Sequence, residues 1–464
     1  MFTATDDRLT LAPDVARRLG YRAVDALVER LEELPGRVVG VPAGRRQMEA
    51  RLREPLPEHG CDPEWLLETV LCDVLGPGLR VDHPRFFAFV PGPSNPVGVL
   101  ADALASGFNV FAGTWLGSPG AAMVETVVLD WLRYVCGLPS TTEGLFVSGG
   151  STANLTALAV ALEERAGCER QRAAVYLSDE AHSSVERALR VTGVRHVRVL
   201  PADREQRLNP GAVAAAIAAD RAAGRLPACV VATAGTTGTG AVDPLEELRP
   251  VCDEHGVWLH VDGAYGAAAM LSPKARLSGL ELADSLTLDP HKWLFQPYEA
   301  GCLLVRDGAA LERTFGTAPP YLRDATAAGS EVNFCDRGIQ LTRQFSALKL
   351  WMSLKVFGAA AFREAIEHGL ALAEHAERRI ASDPLWELVT PARLGIVTFR
   401  ARRPDAVNAG LPAAALADGF AYLSSHRVNG ATALRLCTIN PRTTREDVDH
   451  TLDRLAALAE GADA

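Results

Sequence analysis

The sequence predicts an α/β fold: a large domain with a mostly parallel sheet, preceded by a helical N-terminal segment and followed by a small α+β domain. Residues 11–80 place apolar side chains near the helical period of 3.6 residues. From about residue 120, short β-rich runs alternate with longer helical stretches, which is typical of a parallel sheet covered by helices. We therefore predict a helical segment at 1–82, a large domain at 83–357 and a small domain at 358–464.

The N-terminal segment contains an amphipathic helix that Pro35 and Gly36 end. Its apolar positions are Val15, Leu19, Val24, Leu27, Val28 and Leu31. In a lone monomer this apolar face would stay exposed, which favours a homodimer. A Pro- and Gly-rich turn region follows at residues 91–96.

Short apolar, β-rich runs define the sheet of the large domain. They are GLFV (144–147), AAVYLS (173–178), ACVVAT (228–233), GVWLHVD (256–262) and GCLLV (301–305). Helices are predicted near residues 347–357 and 361–380. The strand-like runs 395–402 and 433–440 then precede a last helix with Thr443 or Thr444 as its N-cap. These runs form the small α+β domain.

Composition narrows the class of protein. Of the 464 residues, 48% are hydrophobic and 22% charged, which is ordinary for a globular chain and excludes global disorder. A net charge of -10 argues against nucleic-acid binding. Nine cysteines without a C-x-x-C pair favour a reduced, cytoplasmic protein. The acidic start and the absence of an apolar run of about 18 residues indicate neither secretion nor membrane insertion.

Two segments carry the clearest chemistry. Lys292 lies in Asp289-Pro-His-Lys-Trp after a strand, at the sheet edge where open α/β folds bind ligands. Asp262 ends the apolar run WLHVD, and a buried carboxylate there needs a cation such as a protonated pyridinium nitrogen. Taken alone, each has an ordinary explanation: a solvated loop lysine, or an aspartate in a turn or helix cap. Together they favour one site.

Further polar segments follow successive strands. Gly149 and Gly150 with Ser151 can wrap an anion at a helix N-terminus, although a capped turn explains them equally well. The segment lacks the patterns of nucleotide P-loops and dinucleotide folds. His182 follows one strand and residues 234–240, AGTTGTG, follow another. A structural histidine and a simple turn would explain these two segments as well. No close His/Cys set suggests a metal site.

The sequence resembles the group II amino-acid decarboxylases, which depend on pyridoxal 5′-phosphate (PLP) and include aromatic L-amino-acid decarboxylase. The resemblance covers nearly the whole chain. It rests on HPRFFAFVPG (83–92), GTWLGSP with MVETVVLDWL (113–132), SDEAHSSVERA, WLHVDGAYG, DPHKW, ALKLWMSLKVFG and RLCTINPRTT. It implies an aspartate-aminotransferase-like fold of type I and a homodimer with shared active sites. It also implies decarboxylation of an L-amino acid, aromatic by expectation, to the amine and CO2 through a Schiff base and a quinonoid intermediate.

The resemblance assigns roles to individual residues. Lys292 would form the Schiff base, Asp262 would pair with the pyridinium nitrogen, and His182 would stack on the ring. Ala264 would pack on the opposite face of the ring and Thr237 close to it, while Gly150, Ser151 and His291 would hold the phosphate. Tyr321 matches a catalytic loop tyrosine, and either it or His182 would donate the proton. Phe89, Pro91, Phe111 and Trp115 would line the substrate pocket.

Several positions depart from the best-known members. Gly92 and Gly113 replace larger residues and are expected to enlarge or reshape the substrate pocket. Gly149 and Gly150 replace Ser-Ala, Asp289 replaces an Asn and Val81 replaces a Trp. The substrate therefore stays open, and the sequence is also compatible with a decarboxylase of a non-aromatic amino acid. It is compatible, too, with an aldehyde synthase, an aminotransferase or a catalytically silent scaffold.

Overall fold

A computed structural model describes residues 9–317 and 331–461. The helices are α1 (Pro13–Glu33), α2 (Arg45–Leu52), α3 (Pro63–Thr69), α4 (Pro96–Gly107), α5 (Pro119–Val135), α6 (Gly150–Ala166), α7 (Ser183–Val191), α8 (Pro210–Ala222), α9 (Leu245–His255), α10 (Ala309–Phe315), α11 (Ala347–Ala381), α12 (Asp405–Asp418) and α13 (Arg445–Gly461). The strands are β1 (Gly40–Val41), β2 (Gly78–Leu79), β3 (Glu143–Val147), β4 (Ala173–Ser178), β5 (His196–Leu200), β6 (Leu226–Thr233), β7 (Trp258–Asp262), β8 (Ser285–Leu288), β9 (Gly301–Val305), β10 (Trp386–Arg393), β11 (Ile396–Ala401), β12 (Ser424–Val428) and β13 (Ala431–Cys437).

The central sheet has seven strands in the order β3-β9-β8-β7-β6-β4-β5. β9 runs antiparallel to both its neighbours, and the remaining pairs are parallel. Strands β4, β7, β8 and β9 are buried along their whole length, as expected of a sheet with helices on both faces. The predicted mostly parallel sheet is confirmed.

The strand register decides which side chains meet at the carboxyl edge of this sheet. Asp262, the last residue of β7, lies opposite Thr233 of β6 and Thr287 of β8. The turn after β8 therefore begins beside the end of β7 and carries Lys292. Helix α6 starts at Gly150, three residues after β3 ends, and packs across the sheet onto β6, β8 and β9.

The C-terminal region forms a second layer with a core of its own. The sheet β10-β11-β13-β12 is antiparallel and packs against α11, α12 and α13. Helix α11 is interrupted at Gly358, whose φ is 77°, between the two helices that the sequence predicts. Thr444 caps α13: its hydroxyl accepts a hydrogen bond from the Asp447 amide, and the Asp447 carboxylate accepts one from the Thr444 amide.

The N-terminal segment is helical but also contains the short pair β1–β2, which the sequence did not predict. Two-residue strands are too short to produce a periodic pattern. Helix α1 has no buried residue, and Tyr21, Val24 and Val28 are exposed on it. No helix within 9–317 and 331–461 combines the length and apolar character needed to cross a membrane.

Candidate active site

A cavity of about 380 Å³ opens at the carboxyl edge of the central sheet. The structure brings together here all eight residues that the resemblance assigns to the cofactor: Gly150, Ser151, His182, Thr237, Asp262, Ala264, His291 and Lys292. The walls come from the ends of β3, β4, β6, β7 and β8, so residues far apart in sequence share one site. This is the place where open α/β sheets bind ligands.

Lys292 follows β8 in a tight turn in which its amide donates a hydrogen bond to the Asp289 carbonyl. Its Nζ lies 3.1 Å from Asp289 Oδ2. Burial lowers the pKa of Lys292, but the carboxylates of Asp289 and Asp262 outweigh burial, and the net shift is upward. The amine therefore rests as an ammonium ion between two carboxylates, facing the cavity.

Asp262 ends β7 and is 4% exposed. Its Oδ2 accepts a hydrogen bond of 2.8 Å from Asn154 Nδ2, and its Oδ1 accepts one of 3.1 Å from the Ala264 amide. These two hydrogen bonds fix the orientation of the carboxylate. A buried anion at the base of the cavity is suited to pair with a cationic group of a ligand.

His182 is the N-cap of α7, and its Nδ1 accepts a hydrogen bond from the Ser184 amide. Desolvation lowers the pKa of His182, so its ring is neutral at physiological pH. Because Nδ1 is an acceptor, the ring proton is on Nε2. The ring lines the cavity while remaining exposed, which leaves it available to stack on a planar ligand.

The N-terminus of α6 forms an anion cradle. No side chain caps it within the described chain, so the first amide groups of this 17-residue helix stay available at Gly150 and Ser151. A Cβ added at Gly150 would lie 2.8 Å from Asp289 Oδ2, so the glycine lets this carboxylate approach the helix start closely. His291 accepts a hydrogen bond at Nδ1 from the Ala300 amide, which leaves its Nε2 as a donor near Gly149.

Two groups at this site had no assigned role in the sequence. Asn154 is fully buried and contacts Asp262; it stands in the SGGSTAN segment, which gives no sign of that contact. Asp289 was notable only as a departure from the family pattern. It is 1% exposed, and its Oδ1 has no hydrogen-bond partner among the residues described. A buried oxygen without a partner can accept a hydrogen bond from a ligand or from an ordered water.

The predicted substrate residues do not line this cavity within the described part of one chain. Phe89 and Phe111 are exposed, Pro91 is buried, and the Trp115 amide donates a hydrogen bond to Asn333. Their role in substrate binding stays a prediction. Tyr321 lies outside the described residues.

Gly92 and Gly113 leave no open space beside them within the described chain, so the expected enlargement of the pocket is not seen, and the expected reshaping stays a prediction. A Cβ on Gly92 would lie 2.1 Å from the His291 carbonyl oxygen and 2.4 Å from that of Lys292. A Cβ on Gly113 would lie 2.4 Å from the Phe111 ring. The space that a larger residue would need is filled by backbone and by an aromatic ring, because both glycines allow close packing.

The site fits PLP. Lys292 offers an amine, Asp262 a buried anion for the pyridinium nitrogen, His182 a flat neutral ring, and the α6 N-terminus an anion cradle for the phosphate.

Comparisons with known proteins agree with this geometry. Residues 46–402 match the family model described as the pyridoxal-dependent decarboxylase conserved domain. The chain is 46% identical to aromatic-L-amino-acid decarboxylase of Bacillus atrophaeus, over 98% of this chain and 97% of that protein. It is 32% identical to phenylacetaldehyde synthase of Petunia hybrida, over 95% and 93% of the two chains.

Among solved structures, Oryza sativa TDC with PLP and tryptamine superposes with a TM-score of 0.93 and 28% identity, covering 99% of this chain and 100% of that one. The fold prediction is therefore confirmed, and so are PLP as the cofactor and a decarboxylase as the type of enzyme. The chain belongs to the pyridoxal-dependent decarboxylases, PLP-dependent carboxy-lyases that act on amino acids.

Proposed function

We propose that this enzyme converts an aromatic L-amino acid to its amine and CO2. The observation that carries the proposal is the convergence of Lys292, Asp262 and His182 on one cavity beside the open N-terminus of α6. That set supplies an amine, an anion and a flat ring, which are the groups needed to hold and polarise PLP.

Lys292 would hold the cofactor covalently, and Gly150, Ser151 and His291 would bind its phosphate. PLP, when bound, accepts the electron pair that the departing CO2 leaves on Cα. Asp262 would face the ring nitrogen, and hydrogen bonds from Asn154 and the Ala264 amide hold its carboxylate in place. The neutral ring of His182 would stack on one ring face, with Ala264 on the other and Thr237 nearby.

A proton must then reach Cα to give the amine. His182 presents its ring in the cavity wall and is one candidate donor, in its protonated form. Tyr321 is the second candidate, through the resemblance of its segment to a catalytic loop. Fast protonation favours the amine, whereas slow protonation would give dioxygen time to react and produce an aldehyde.

An aromatic substrate is supported by the charges around the cavity. Among the described residues, its lining contains no arginine but three carboxylates, those of Asp262, Asp289 and Glu299. An acidic side chain would therefore find no arginine partner among these residues. The relative with 46% identity is named as a decarboxylase of aromatic amino acids. That name also supports an aromatic substrate, and it supports an amine-forming decarboxylase over an aldehyde synthase.

We also propose a cytoplasmic homodimer whose subunits share their active sites. All nine cysteines are free, in keeping with a reducing compartment. The exposed apolar side chains of α1, together with exposed Phe89 and Phe111, support a covering second copy. In such a dimer, Phe111 of one subunit would lie beside the cavity of the other subunit and not beside the cavity of its own. An active, monodisperse monomer in light scattering would exclude this arrangement.

Replacement of Lys292 tests the cofactor assignment. Lys292→Ala should abolish borohydride-trapped PLP and amine formation, because no other described lysine lines the cavity. Lys274→Ala is the matched control, since Lys274 pairs with Glu367 at the surface and should keep full activity. Trapping of PLP with normal turnover in Lys292→Ala would refute the assignment. Release of CO2 from tryptophan, tyrosine and phenylalanine, compared with glutamate and aspartate, tests the substrate class.

Tyr321→Phe tests the outcome of the reaction. Removing only the hydroxyl should lower the amine yield and raise aldehyde and peroxide, if Tyr321 delivers the proton. Peroxide and amine are measured side by side in both proteins. An unchanged amine yield without added peroxide would remove Tyr321 from the mechanism and leave His182 as the donor.

A further inference from the structure

Asn154 is a fully buried residue of the cavity lining, and every hydrogen-bonding position of its side chain is occupied. Its Oδ1 accepts from Thr287 Oγ1 at 2.7 Å and from His260 Nε2 at 3.1 Å. Its Nδ2 donates to Asp262 Oδ2 at 2.8 Å and to Ser184 Oγ at 3.0 Å. A carboxylate only accepts, so the amide nitrogen must face Asp262. This arrangement determines the orientation of the amide.

The amide orientation in turn determines the tautomer of His260. Asn154 Oδ1 is an acceptor, so His260 Nε2 carries the proton, and Nδ1 accepts from Ser285 Oγ at 2.8 Å. Burial lowers the pKa of His260 to about 4, which keeps this ring neutral. Ser285 Oγ accepts in turn from Trp258 Nε1 at 2.8 Å. From Trp258 to Asp262, each group in this buried series of hydrogen bonds therefore donates to the next one.

A second branch leads from Asn154 to His182. Ser184 Oγ accepts from Asn154 Nδ2, which leaves its own hydrogen for His182 Nδ1 at 2.8 Å. Asn154 Nδ2 thus holds the Asp262 carboxylate directly and the His182 ring through Ser184. Asn154 is completely buried and Ser184 is 4% exposed, so water does not compete for these bonds.

We infer that Asn154 is a positioning residue that orients Asp262 toward the ring nitrogen of PLP and couples it to the stacking ring of His182. His260 and Ser285 act behind it by orienting its amide. The inference rests on the proposed roles of Asp262 and His182. It adds a residue of the cavity lining that acts through Asp262 and determines how strongly Asp262 recognises the ring nitrogen.

The test compares PLP with its 1-deaza analogue, in which carbon replaces the ring nitrogen. Both probes offer the same phosphate and aldehyde, so the ratio of their dissociation constants reports recognition of the nitrogen alone. Asn154→Leu removes the side-chain donor to Asp262 and should reduce the preference for PLP by about tenfold to a hundredfold, the range expected for a hydrogen bond to a charged group. Asn154→Ser, a smaller polar replacement, should reduce it in the same direction and serves if the leucine variant does not fold.

Asn408→Leu is the matched control. Asn408 is also completely buried, but its amide bonds to the backbone of Ala401 in the C-terminal layer. Its loss should lower stability and leave the preference for PLP unchanged. If the Asn154 variants bind both probes more weakly by the same factor, or keep the wild-type preference, Asn154 has only a structural role and the inference is overturned.

Asp262→Ala separates this inference from the proposed function. If Asp262→Ala and the Asn154 variants all lose the preference for PLP, the roles of Asp262 and of Asn154 are both supported. Loss in Asp262→Ala alone would overturn the role of Asn154 and leave that of Asp262. A wild-type preference in Asp262→Ala would instead overturn the assignment of Asp262 to the ring nitrogen.

Discussion

Gly92 is packed directly against the backbone that carries Lys292. The Cβ of an alanine there would lie 2.1 Å from the His291 carbonyl oxygen, 2.4 Å from the Lys292 carbonyl oxygen and 2.8 Å from Lys292 Cα. No flexible side chain is available to move, because all three atoms belong to the main chain. Gly92→Ala must therefore displace the turn that presents the lysine.

The size of this displacement follows from the contacts. An ordinary contact begins at 3.4 Å, so the shortfall from 2.1 Å is about 1.3 Å. Hydrogen bonds within the turn and the fully buried Trp293 oppose such a movement. A misplacement of about 1 Å at a catalytic group costs about a hundredfold in rate. We expect a loss of this order in kcat/KM, with weaker retention of PLP.

The assay compares amine formation and borohydride-trapped PLP in Gly92→Ala and in Gly120→Ala. Gly120 lies in α5, and a Cβ added there meets no atom within 4 Å, so this alanine should be silent. Wild-type turnover and PLP content in Gly92→Ala would refute the argument that this glycine sets the position of the lysine.

Two further predictions concern charged groups. Arg343 and Glu125 form a buried ion pair of 2.6 Å beneath β3. Arg343→Met should lower the free energy of unfolding by about 3 to 5 kcal/mol, because Glu125 then stays buried without its cationic partner. An unchanged urea midpoint would contradict this. Asp289→Asn should lower the pKa of Lys292, because the Asp289 carboxylate raises that pKa. More of the Lys292 amine is then neutral at any given pH. The pH profile for capture of PLP by the apoenzyme should therefore shift to lower pH. A profile that stays in place or moves to higher pH would contradict this reasoning.

Much of the site could be predicted because its groups stand at the ends of apolar runs. Asp262 ends a strand that the residue pattern predicts and Lys292 follows a neighbouring one, and parallel strands bring such ends to one edge. The α6 N-terminus was predictable in the same way from Gly149 and Gly150. The phosphate, ring and substrate roles of individual residues remain predictions, as do the domain boundaries at 82/83 and 357/358.

By itself, the sequence determined the α/β class, most strands of the central sheet, the family and the chemical groups at the strand ends, since these depend on local periodicity and short motifs. Only the tertiary structure decided that Asn154 supports Asp262 and that Gly92 packs against the Lys292 backbone. The Asn154 contacts join residues 108, 106 and 133 positions apart. Contacts across such separations depend on strand register and helix placement, which leave no pattern in the neighbouring residues.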